Sequence, residues 1–80
     1  MSDDGGKAAA ELIEFIAKAI VSDTDAVKVH ARDGGALLEL ETAADDRGRV
    51  IGRQGRVAKA LRAVLAASRV GPECRLDIVD

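Results

Sequence analysis

The 80-residue sequence contains no tryptophan and no tyrosine, and Phe15 is its only aromatic residue. Proteins that hold unpaired bases by stacking gain roughly 1–3 kcal/mol from each aromatic platform, so a ligand of this chain has to be held by other means. A single cysteine, Cys74, excludes an internal disulfide. A single histidine, His30, beside that lone thiol provides neither a zinc-type ligand set nor a Ser/Cys–His pair for nucleophilic catalysis. No run approaches the ~20 apolar residues of a membrane span. The N-terminal MSDDGGK is acidic where a secretory leader is basic. These absences together predict a cytoplasmic protein without membrane segment, metal or cofactor.

One further absence is local. Between Arg47 and Pro72 there is no acidic residue, while seven basic ones occur there: Arg47, Arg49, Arg53, Arg56, Lys59, Arg62 and Arg69. Residues 1–46 carry a balance of −7, so the net charge of −2 conceals a cationic third of the chain. Such a stretch is either an ordinary solvated face or a site for a polyanion. The composition is otherwise globular, 48% apolar and 32% charged. A chain this short buries only about 60% of its unfolded surface, so association with a partner would add useful stability.

Periodicity divides the chain into six elements. Residues 1–7 read as a flexible N-terminus. From about Ala8 to Val21, Ala9, Leu12, Ile13, Ile16 and Ile20 share one helical face, and Glu14 and Lys18 form an i,i+4 pair. Phe15 sits at the edge of this stripe, either covering the core rim, the preferred reading, or belonging to an association surface. Val27, Val29 and Ala31 alternate with Lys28, His30 and Arg32 in a first strand. Asp33-Gly34-Gly35 marks a hairpin, and Ala36 to Thr42 returns with Leu38 and Leu40 inward and Glu39 and Glu41 outward. Asp45 or Asp46 is placed to cap a short helix reaching about Ile51. A longer helix from about Gly55 to Ser68 buries Val57, Leu61, Val64, Leu65 and Ser68, leaving Arg56, Lys59 and Arg62 on its solvent side. After Gly71-Pro72, a last strand carries Cys74, Leu76 and Ile78 inward.

The chemistry concentrates in Gly52-Arg53-Gln54-Gly55. Glycine directly before a helix lets the backbone approach a ligand closely, and the first helical turn offers unpaired N–H groups at the positive end of the dipole. That is an anion site, most simply for phosphate. Arg53 and Arg56 add charge around the same point, and Gln54 adds an uncharged donor. A dinucleotide fingerprint is excluded because the glycines run Gly48, Gly52, Gly55; a P-loop is excluded because no Lys-Ser or Lys-Thr pair exists. A helix-turn-helix reader of duplex DNA is disfavoured by the hairpin and the last strand.

The segment RVIGRQGRVAKALRAV, residues 49–64, resembles the hallmark of the KH domain, V-I-G-x-x-G-x-x-I-x-x-I. The order α-β-β-α-α-β resembles the bacterial type II arrangement. Together with the AELIEFIAKAIV helix, DDRGRVIGRQGR and the chain length, this is similar to the KhpA family of small bacterial single-KH RNA-binding proteins. The resemblance covers about residues 8–80 and implies a single KH domain there, an α+β fold with a three-stranded mixed sheet and three helices packed on one face. It also implies that Gly52, Arg53, Gln54 and Gly55 clamp the backbone of single-stranded RNA. Val50, Ile51 and Val57 would form the apolar groove floor and its packing, while Arg49, Arg56 and Lys59 complete the RNA-binding set. The last strand, near Cys74 to Val79, would be the opposite wall. Val57, with Leu61 or Val64, stands where the motif often has isoleucine.

Two functions follow as expectations. In the first, the domain is a non-enzymatic binder of single-stranded RNA with weak sequence preference, in a chaperone-like or post-transcriptional role. In the second, the same surface serves protein association, as a homodimer or paired with a longer KH protein of the Jag/KhpB type. Catalysis has no support: Cys74 reads as a small buried strand residue, and the Asp45-Asp46 pair as a helix start.

Overall fold

A computed structural model of the chain describes residues 6–79. The expected flexible N-terminus therefore lies largely outside the described residues, while Lys7 already belongs to the first helix. The elements are α1 (Lys7–Ile20), β1 (Lys28–Arg32), β2 (Leu37–Glu41), α2 (Arg47–Ile51), α3 (Arg56–Ala67) and β3 (Arg75–Val79), with a short 3-10 turn in each connection except that between α3 and β3. Antiparallel β1 and parallel β3 flank β2. This is the mixed sheet and element order of a type II KH fold.

Alanine, leucine and glutamate make α1 a strong helix former. Ala9, Ile13 and Ala17, one turn apart, are fully buried, and the two alanines let the helix approach the sheet closely. Leu12, Ile16 and Ile20 pack beside them, and Glu14 meets Lys18 at 2.8 Å. Phe15 does not cover the core rim. It is 75% exposed, because two residues along a helix is a rotation of about 200° from buried Ile13.

The hairpin closes through three consecutive positive φ angles, 53° at Asp33, 68° at Gly34 and 100° at Gly35. Leu38 and Leu40 point into the core with no exposure. On the outer face Arg32 reaches Glu39 at 2.9 Å and His30 reaches Glu41 at 3.4 Å, both on diagonals of the register. Ala31 falls on the inward phase of the strand but is exposed, near Gly6 at the start of α1.

The β2–β3 pair is parallel, with Leu38 opposite Leu76 and Leu40 opposite Ile78, so the chain must cross over between them. α2 and α3 make that crossover. Ala58, Leu61 and Leu65 bury α3 against the sheet and α1. Val64, expected inside, lies about a quarter turn away and is 42% exposed; Val57 and Ser68 are half-buried. No helix among the described residues is long and apolar enough to cross a membrane.

Candidate nucleic-acid interface

α2 stops at Ile51 because Gly52 leaves helical conformation, with φ 78° and ψ 169°. Its N–H still donates to the Gly48 carbonyl at 2.8 Å. A β-carbon at Gly52 would lie 2.5 Å from Val57 Cγ2 and 2.8 Å from the Val57 nitrogen, so both the dihedral and the space demand glycine. Gln54 and Gly55 are left-handed, at φ 58° and 74°. The Gly55 N–H donates to the Gly52 carbonyl at 3.0 Å and closes the turn. Around Gly55, unlike Gly52, there is open space.

This turn delivers the chain into α3 with no capping side chain and no acid in the first helical turn. The positive end of the helix dipole is therefore left uncompensated by the protein. Arg53, Arg56 and Lys59 are exposed around it. Among the described residues Arg53 and Lys59 have no partner, and Arg56 makes only a 3.4 Å contact to Gln54 Oε1. Ile51, 38% exposed, adds an apolar contact at the mouth of the turn, and Val57 is half-buried behind Gly52. The arrangement can hold a flexible polyanion by charge and backbone donors, with a small aliphatic contact in place of a stacking platform.

Two members of the expected set stand apart. Val50 has no exposed surface; it packs in the core and touches nothing outside. Arg49 is already engaged, its Nη1 donating to Ser22 Oγ at 2.9 Å and its Nε 3.9 Å from Asp46 Oδ1.

The Arg49 contact reveals a residue the sequence pattern misassigned. Asp46 makes no cap to its own helix. The residue is 2% exposed, and its carboxylate accepts the backbone N–H groups of Ser22 and Asp23, each at 3.0 Å. The Asp23 and Ser22 donors and the Arg49 charge hold its pKa below the ordinary value, against the opposing effect of burial. Asp46 thus staples the end of α1 to the start of α2, from which the glycine turn extends. Arg62 lies on the exposed side of α3 as expected, and there its Nε donates to the Leu76 carbonyl of β3 at 2.9 Å, a tertiary contact without a signal in the helical pattern. Among the described residues no group of His, Cys, Asp and Glu is arranged to hold a metal.

The sequence profile described as "KhpA/KhpB, KH domain" matches residues 10–78. Over 73 residues the chain is 48% identical to the RNA-binding protein KhpA of Halalkalibacterium halodurans, covering 86% of this chain and 96% of that one. The RNA-binding protein KhpA of Streptomyces coelicolor is 44% identical over 72 residues, 88% of this chain and 90% of its own. That of Borreliella burgdorferi is 40% identical over 74 residues, with coverage of 88% and 90%. No solved structure gives a significant match.

Proposed function

The chain belongs to the KhpA/KhpB family of KH domains, and from that premise we propose that it binds single-stranded RNA at the turn Gly52–Gly55 and the start of α3. Like its relatives it is not an enzyme. The observation that carries the reading is the acid-free, uncapped start of α3 ringed by Arg53, Arg56 and Lys59, of which two have no partner among the described residues. Backbone donors and three cations suit phosphates rather than bases, so this contact is tolerant of sequence. It acts in the cytoplasm, in a chaperone-like or regulatory role on many RNAs.

The test is fluorescence anisotropy of a labelled ~20-nucleotide single-stranded RNA, run beside a DNA duplex at two salt concentrations. Saturable binding to the single strand is expected, with log K falling by roughly 0.7 per decade of salt for each phosphate neutralised. The double variant Arg53→Asp/Gln54→Asp should lose it. Aspartate tolerates the left-handed conformation at position 54, so the variant keeps its fold. Binding that ignores salt, or survives in this variant, would refute the clamp.

A second reading is favoured by the exposure of Phe15, Val64 and Val70. In it the domain associates with a second copy or with a longer KH protein of the KhpB type. A stable complex in sedimentation, without any affinity for the RNA probe, would put this reading first.

A further inference from the structure

We propose that Ser22, in the connection between α1 and β1, tunes RNA affinity by holding Arg49 in reserve as a further cation of the clamp; this rests on the RNA-binding reading above. Arg49 lies on α2 three residues before Gly52, so the two positions are neighbours one helical turn apart. Its side chain is 59% exposed. Nη1 nonetheless donates to Ser22 Oγ at 2.9 Å, a bond between residues 27 apart in sequence. It is the only hydrogen bond of that side chain among the described residues, since Asp46 Oδ1 stands 3.9 Å from Nε, beyond hydrogen-bond reach.

The Ser22 hydroxyl is fixed from behind. The Ser22 N–H donates to Asp46 Oδ1 and the Asp23 N–H to Asp46 Oδ2, and Asp46 immediately precedes α2. The backbone of Ser22 is thereby tied to the start of α2, and position 22 stays beside Arg49 whatever side chain it carries. The Arg49–Ser22 bond itself lies in solvent, so breaking it exchanges it for water at little cost. A hydroxyl is a neutral acceptor, whereas a phosphate takes the guanidinium fork with two parallel bonds and opposite charge. A strand drawn into the glycine turn by Arg53, Arg56 and Lys59 brings phosphates within one helical turn of Arg49 and wins the exchange.

Ser22 is then a positioning residue that opposes binding by a small, fixed amount without touching RNA. The other cations of the site need no such release. Arg53 and Lys59 have no partner among the described residues, and Arg56 meets only Gln54 at 3.4 Å. Removing the hydroxyl frees Arg49 from its competitor; removing the guanidinium leaves Ser22 nothing to hold. The two changes are therefore non-additive in their effect on affinity.

The experiment is a double-mutant cycle on the full chain, read by anisotropy of the labelled single-stranded RNA across a salt series. Ser22→Ala is expected to bind roughly threefold more tightly than wild type, with the same salt slope. Arg49→Gln should bind more weakly and flatten the slope by roughly 0.7, the share of one phosphate contact. Ser22→Ala/Arg49→Gln should match Arg49→Gln, and Ser22→Thr, which keeps the hydroxyl, should match wild type. Thermal melts check that each variant is folded. A slope unchanged in Arg49→Gln would show that Arg49 never reaches a phosphate. No gain in Ser22→Ala, or a gain that persists without Arg49, would show that the hydroxyl does not hold Arg49 back. Each of these results overturns the reserve and leaves the clamp standing. Loss of all binding in the wild type would remove the clamp, and the reserve with it.

Discussion

At Gly52 two constraints coincide that are separate at Gly55. Both have positive φ, but only Gly52 also has Val57 within 3 Å of any added β-carbon and a ψ of 169° that side chains avoid. Gly55→Ala should therefore cost about 1–2 kcal/mol, the strain of a left-handed residue. Gly52→Ala should cost more, on the order of 3 kcal/mol, or displace α3. Urea denaturation of the two variants checks the ordering, and equal midpoints would contradict it. Asp46 makes a different demand. Its folded pKa lies below the usual 3.8 because Asp23, Ser22 and Arg49 favour the charged form. Its contribution is complete above that value and drains away as the pH falls through the lower folded one. Asp46→Asn should melt at lower temperature than wild type near neutrality, and the gap should narrow below about pH 4. A constant gap down to pH 2 would show that the carboxylate charge is not what matters. Nothing local marked this role, since the two donors it serves are 23 and 24 residues away in sequence.

Among the elements, α1 shows how far burial pattern decides tolerance. Ile13→Ala removes a fully buried side chain and should cost about 2–5 kcal/mol. Phe15→Ser, two positions on, should stay within about 0.5 kcal/mol of wild type, as surface changes do. A large loss at Phe15 in chemical denaturation would mean that its ring is covered in solution by something other than this chain. α1, the hairpin and β3 were legible because their apolar residues recur with a clear period and their ends carry glycine or aspartate. α3 was legible as a helix but not in its rotation. From Val57 to Ala67 only Lys59 and Arg62 are polar, so the apolar arc has no sharp border and Val64 could not be told from Ala58. Arg62 was read correctly as exposed, but its contact answers to a strand carbonyl that no helical pattern can reveal. Within the candidate site the turn and its cations were readable from glycine spacing and charge. The diversion of Arg49 to Ser22 was not, being a tertiary contact.

Across the whole molecule the topology follows from element order. A short turn forces β1 and β2 antiparallel, and two intervening helices allow β3 to return parallel to β2. Charge is laid over that frame unevenly: α2 and α3 carry cations and no acid, β2 carries only acids, and α1 balances two glutamates with two lysines, so a polyanion is drawn to the side of α2 and α3. The parallel pair has a kinetic consequence. Closing β1 on β2 spans only the turn residues 33–36, whereas pairing Leu37 with Arg75 spans both helices of the crossover, an extra loop-closure cost of about 2 kcal/mol. The hairpin should therefore be formed in the folding transition state and β3 not yet docked. In stopped-flow experiments Val29→Ala should mainly slow folding and Ile78→Ala mainly speed unfolding; the reverse partition would place β3 in the nucleus. Because the bond from Arg62 to the Leu76 carbonyl depends on β3, that tie between α3 and the sheet edge is the last part of the molecule to take shape and the first to open.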